Sequence, residues 1–315
     1  MPVATRPHPA ALALGAVGAV GAAAAVWGIG IERHLYALRE LRAEVLPAGA
    51  SPIRVLHISD IHMAPWQRRK QRWIAALAAL SPDLVINTGD NLGHYEGLAG
   101  IRRALRPLAG VPGVFVHGSN DVFAPSPRNP LRYILGPSEK AHSETRLDTA
   151  ALDAFFADDL GWADLNNAAA RITVAGTPID LFGVSDAHRG WDELESLPEA
   201  MAALGDDAPR IGVTHAPYRR VLDAFTALGA EAVFAGHTHG GQVCLPGVGT
   251  LVANCDIPRR QARGLSTWSA AGHTIPLHVS AGIGHSIYAP VRFACRPEAT
   301  LLTLTPRFGP LPASM

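Results

Sequence analysis

Apolar and polar positions along this chain fall into three regimes. From Ala10 to Ile31 no charged residue occurs. Residues 32–45 then mix Glu32, Arg33, Arg39, Glu40, Arg42 and Glu44 with Leu35, Leu38, Leu41 and Val45 at helical period, which predicts a juxtamembrane amphipathic helix. Pro47 to Pro52 reads as a linker, closing a segment 32–51. From residue 52 to 306, short strand-like runs alternate with helical patterns at Trp73–Leu80, Leu98–Leu108 and Val221–Leu228, as βαβ units do. The second half adds strand candidates at Arg171–Val174, Ile179–Val184, Gln242–Leu245, Thr250–Ala253, Leu277–Ser280 and Ala299–Leu304. The predicted class is α/β: a two-sheet β-sandwich flanked by helices and preceded by an N-terminal transmembrane helix, with short tails at 1–9 and 307–315.

The segment 10–31 is long enough to cross a hydrocarbon core of about 30 Å at roughly 1.5 Å per residue. A cleaved signal peptide is the alternative, because Ala and Gly dominate the run. The sequence that follows it, Glu32-Arg33-His34-Leu35-Tyr36, has no small-residue cleavage signature, which favours an uncleaved single-pass anchor. Gly15, Gly18 and Gly21 form a small-residue stripe that low complexity also explains. Arg6 lies before the run and Arg33, Arg39 and Arg42 after it, an imbalance that places the following domain on the cytoplasmic side.

The strand-like runs share a feature that matters more than any one of them: each ends in carboxylate, amide or imidazole groups. Ile53–Ser59 leads into Asp60-Ile61-His62, Asp83–Thr88 into Gly89-Asp90-Asn91, and Gly113–His117 into Gly118-Ser119-Asn120-Asp121. Arg210–Thr214 leads into His215, and Ala232–Phe234 into His237 and His239, set among Gly236, Gly240 and Gly241. In open α/β sheets, ligand sites gather outside the carboxyl ends of strands. Neutral imidazole is the commonest side-chain metal ligand. Phosphate ester hydrolysis needs a nucleophile near neutral pH and positive charge on the phosphoryl oxygens, and two metal ions about 3.5–4 Å apart supply both.

This ordered set resembles the calcineurin-like metallophosphoesterase superfamily, whose motifs read D-x-H, G-D, G-N-H-D/E, a histidine near a proline, and G-H-x-H. The resemblance spans residues 52–305. It is strongest to the membrane-associated branch that includes bacterial UDP-diacylglucosamine pyrophosphohydrolase-like proteins, because Gly236-His237-Thr238-His239-Gly240-Gly241-Gln242 continues as that branch does. The resemblance implies two divalent metal ions, one held by Asp60, His62 and His239 and the other by Asn120, His215 and His237, with Asp90 bridging them. Mixed nitrogen and oxygen ligands suit Mn, Fe or Zn better than Ca or Mg. One motif departs from the pattern: a gapless match puts Ser119 at the ligand and Asn120 at the catalytic histidine. A one-residue shift instead keeps Asn120 as ligand and leaves Asp121 where the acid–base histidine stands. His117, His94 and His285 are candidates to replace that histidine, each with an ordinary packing role as the alternative.

The expected function is a dinuclear-metal-dependent phosphohydrolase cleaving a phosphodiester or pyrophosphate bond in a phosphorylated small-molecule or lipid-linked substrate. A catalytically weak metal-binding scaffold of the same fold is the second reading. Lys and Arg number 27, as do Asp and Glu, so no basic excess points to nucleic acid. Nothing in the sequence fixes the oligomeric state. Cys244, Cys255 and Cys295 lack metal-site spacing and read as buried hydrophobes, with a Cys244–Cys255 bridge left open. Val122–Thr149, rich in Pro, Ser, Arg and Asn, reads as a lid over the site or as a plain insertion. Asp186-Ala187-His188 is a further strand-end polar cluster without a motif role.

Overall fold

The computed structural model describes residues 8–126 and 145–307. Most of the Val122–Thr149 stretch therefore lies outside the described residues, as do the tails 1–7 and 308–315. Helix α1 (Pro9–Ala25) starts with proline, whose missing N–H needs no partner in a first turn, and continues through wider turns to Ile31. Leu12–His34 is long and apolar enough to cross a membrane. Leu14, Val17 and Val20 on it are 70–74% exposed, as side chains with no protein around them.

The amphipathic helix expected over residues 32–45 is instead a short helical turn at Glu32–His34 followed by strand β1 (Ala37–Leu46). Leu41, Ala43 and Val45 face inward while Arg42 and Glu44 are exposed, a period of two that the leucine spacing also allowed to read as a helix. The edge of β14 (Glu298–Pro306) decides the matter by pairing with β1 in parallel over its whole length.

The first sheet has the order β1-β14-β2-β3-β4-β5, with β2 Ile53–Ile58, β3 Leu84–Asn87, β4 Gly113–Phe115 and β5 Trp162–Asp164. The second has the order β12-β13-β9-β8-β7-β6, with β6 Ala168–Val174, β7 Thr177–Val184, β8 Arg210–Thr214, β9 Ala232–Ala235, β12 Gly264–Ala270 and β13 His273–Val279. A minor hairpin joins β10 (Cys244–Leu245) to β11 (Gly249–Thr250). Alternation along each strand splits its side chains between two layers. Ile53, Val55, Ile86 and Val114 meet Leu181, Ile211, Val213 and Phe234 between the sheets. Leu56, Ile58 and Phe115 point the other way, to α2 (Arg68–Ala76), α3 (Leu98–Leu105) and α5 (Thr149–Ala154). Val184 and Val233 face α6 (Leu197–Ala202) and α7 (Arg219–Ala227). The result is the expected sandwich, with its parallel strands β2–β4 and β7–β9 ending on one rim.

Val45 and Leu46 are fully buried and Glu32 accepts from the N–H groups of Ala294 and Cys295, so residues 32–46 pack as part of the sandwich. A chain starting at Glu32 is expected to keep its cooperative thermal transition, whereas one starting at Pro47 loses it. Differential scanning calorimetry of the two checks this.

Candidate metal centre

Sharp turns after each strand aim the polar residues at one point. Asp60, His62, Asp90, His237 and His239 all adopt positive φ, between 44° and 68°, a region that a non-glycine residue occupies at a cost of order 1–3 kcal/mol unless its surroundings enforce it. Backbone bonds tie these turns together: Asp60 N–H donates to Gly89 O, His62 N–H to Asp90 O, and Gly236 N–H to His215 O. The N–H of His237 donates to Asp60 Oδ2 at 3.0 Å. Two glycines are needed for closeness. A Cβ on Gly118 would run into Asp90 Oδ1 and His215 Cε1, and one on Gly236 into Ser59 Oγ and Asp60 Oδ2.

Ligand atoms of Asp60, His62 and His239 lie within 4.8 Å of one another, as do those of Asp60, Asp90 and His215. Asp90 Oδ2 reaches one imidazole of each set, 3.5 Å from His62 Nε2 and 3.7 Å from His215 Nε2. Asp60 Oδ1 and His215 Nε2 are buried without any hydrogen-bond partner. His215 Nδ1 sits 2.7 Å from the Thr88 carbonyl, which only accepts, so the proton belongs on Nδ1 and Nε2 turns its lone pair to the site. His237 sits at the edge, its ring 5.1 Å from that of His215 and its Nε2 3.2 Å from Asn254 O. Asn120 is also brought in: its backbone N–H and its Nδ2 donate to the two oxygens of Asp90, each at 2.8 Å.

The electrostatics match this reading. Burial lowers His62 to about 4 and holds His237 and His239 well below the ordinary imidazole value, so all three rings are neutral at pH 7, the form that can offer a lone pair to a metal. Burial raises Asp60 to about 6. It would raise Asp90 too, but His215, His62 and the two bonds from Asn120 outweigh it and hold that carboxyl at about 2. Burial pushes His215 down, yet Asp90, Asp186 and Asp60 overcome it and lift the ring to about 9. That crowd of carboxylates favours positive charge, which a dication at His215 Nε2 would supply. The residues present therefore fit divalent metal.

The sequence profile of calcineurin-like phosphoesterases matches residues 53–241, more than half of the chain. The chain belongs to that family. It is 25% identical over 260 residues to phosphodiesterase YaeI of Escherichia coli K12, covering 81% of this chain and 83% of that protein. Its identity to the uncharacterized metallophosphoesterase YkuE of Bacillus subtilis 168 is 22% over 301 residues, covering 91% and 93%.

Asp121, which the one-residue shift puts at the acid–base position, is held in the structure as a brace. Its fully buried carboxylate accepts from the N–H groups of Asp90, Asn91 and Gly118, tying two motif loops together. In the gapless G-N-H-D/E match Asp121 is the last residue and Asn120 stands at the histidine's position. His117 stands behind Asp121, clasped by Asp153 at 2.6 Å and 3.5 Å from Asp121 itself. His285 is buried with Nδ1 on Ser286 O, and His94 lies between Trp66 and Tyr95. Sequence reasoning missed two cationic braces. Fully buried Arg292 donates to the carbonyls of His239, Ala281, Gly282 and Gly284, and Lys70 donates to Ile61 O and His62 O. Neither carries a motif spacing. The three cysteines are free, so no Cys244–Cys255 bridge forms.

Two outcomes are expected. Gly118→Ala forces a methyl into Asp90 and His215; it should lower stability by about 1–3 kcal/mol and deplete bound metal, read by urea unfolding and elemental analysis. Burial lowers His117, but bonds to Asp121 and Asp153 outweigh this and raise it to about 10. Its stabilising contribution is complete below its unfolded value near 6.5 and disappears as pH rises through about 10. His117→Gln should therefore cost about 2 kcal/mol at pH 6 and much less above pH 10 in denaturant titrations.

Proposed function

We propose that the protein is a membrane-anchored phosphohydrolase that uses two divalent ions, Mn, Fe or Zn, to cleave a phosphodiester or pyrophosphate bond in a lipid-linked substrate. The observation that carries this reading is the convergence of the Asp60–His62–His239 and Asp60–Asp90–His215 clusters, with orphaned ligand atoms on Asp60 and His215. Asp60, His62 and His239 would hold one ion, and His215 and His237 the other, with Asp90 shared. Two such ions supply charge for the phosphoryl oxygens and a nucleophile near neutral pH. The similarity to a phosphodiesterase supports the ester class.

The lipid link rests on a short path of contacts. Gly28 O, at the end of the apolar helix, accepts from Arg292 N–H at 3.1 Å, and the Arg292 guanidinium donates to His239 O at 3.0 Å. The metal centre thus stands at the base of the anchor, where a headgroup at the bilayer surface is within reach. The Arg33, Arg39 and Arg42 bias supports the cytoplasmic face.

Asn120 has no titrating proton to give a departing alkoxide, help that a general acid makes worth roughly 10²–10⁴-fold. Anhydrides and aryl esters, whose leaving groups are stable anions, need it least. We expect kcat/KM for a pyrophosphate-linked substrate to exceed that for an alkyl phosphodiester of similar size by about 100-fold, and Asp90→Asn to abolish both together with metal binding. Equal rates on the two substrates would refute the preference. Full metal loading with no turnover on any phosphate ester or anhydride would establish the scaffold reading, which the same asparagine favours.

A further inference from the structure

The strands of the second sheet deliver one more polar side chain to the rim than the family motifs use. Val184 of β7 pairs with Thr214 of β8, and Thr214 with Ala235 of β9. Asp186, His215 and His237 follow these positions on three neighbouring strand ends. Asp186 is completely buried. Its Oδ1 accepts from the N–H of His188 at 2.8 Å, while Oδ2 has no hydrogen-bond partner. His215 Nε2 is orphaned in the same way, and the charge of Asp186 acts directly on His215 and Asp90. The position where the motif carries its asparagine ligand is Ser119, whose N–H faces the Asp186 carboxylate. The amide of Asn120 is engaged with Asp90. A buried, unpartnered carboxylate oxygen on the rim that also carries His215 and Asp90 is relieved by a cation there.

We propose that Asp186 is an oxygen ligand of the second metal ion, beside His215, His237 and Asp90, in the place that the motif gives to asparagine. This rests on the two-metal reading above. An anionic ligand in place of a neutral amide adds one negative charge to the second site, which tightens its hold on a dication.

The test uses the full-length protein in detergent, stripped by chelation and reloaded with Mn²⁺. Ions per chain are counted by elemental analysis, and electron paramagnetic resonance distinguishes a spin-coupled Mn pair from isolated Mn. Wild type should take up two coupled ions. Asp186→Asn should keep one, with an isolated-ion spectrum, or bind the second with a loss exceeding the roughly 10–100-fold typical of removing an outer partner of a ligand. Asp186→Glu should restore coupling in part, and Asn120→Ala should retain two coupled ions. Fewer than two ions in wild type would overturn the two-metal reading itself. Two ions in wild type and an unchanged coupled pair in Asp186→Asn would overturn the Asp186 assignment alone. Loss of the second ion in Asn120→Ala would return the ligand to Asn120, and this arm decides even if Asp186→Asn does not fold.

Discussion

The structure turns on an unpaid electrostatic demand. Asp60, Asp90, Asp186 and His215 are drawn out of water at strand ends, and ligand atoms on three of them find no hydrogen-bond partner. Buried polar atoms in folded chains are ordinarily paired, because each orphan costs on the order of 1–3 kcal/mol and a buried charge costs more. Here the orphans on Asp60 and His215 belong to one tight cluster and are not scattered defects, which is the arrangement a cation site requires. The raised His215 and the depressed Asp90 are two expressions of that demand, each favouring its charged state because the other is there.

Holding such a cluster together requires support that does no chemistry. The left-handed turns at Asp60, His62, Asp90, His237 and His239 persist because backbone bonds across motifs lock each loop to the next. Asp121 gathers three N–H groups from two loops, and Arg292 gathers four carbonyls from the opposite side. One brace is an anion satisfying donors and the other a cation satisfying acceptors, which leaves the metal-facing atoms as the unsatisfied remainder.

Much of this was legible in the sequence, for a local reason. Short, nearly continuous apolar runs marked β2, β3, β4, β8 and β9, strands buried on both faces, and their polar terminators follow directly along the chain, so both the sandwich and the convergence of Asp60, His62, Asp90, His215 and His239 could be read without knowing the packing. What failed was non-local. Leu35, Leu38, Leu41 and Val45 satisfy a helical period while Leu41, Ala43 and Val45 satisfy a strand's, and only the edge offered by β14 separates the two. Spacing alone also does not show that three backbone donors surround Asp121. Asp186 was noticed but left without a role, since only the pairing of β7 with β8 brings the end of its strand next to the strand end that carries His215.

The position of β14 bears on how the chain comes to be folded. The last strand lies between the first two, parallel to β1 and antiparallel to β2. Such a sheet is a closure of very long range, and the first strand has no seat until the last one is available. During synthesis the apolar helix and β1 emerge first and wait through the whole domain, so a species with β2–β4 formed and an open edge beside β2 follows from the order of events. An unpaired edge invites association with other chains. Glu40, Arg42 and Glu44, exposed along β1, keep the waiting strand charged. The alternation that disguised β1 as a helix is also what protects it until β14 arrives.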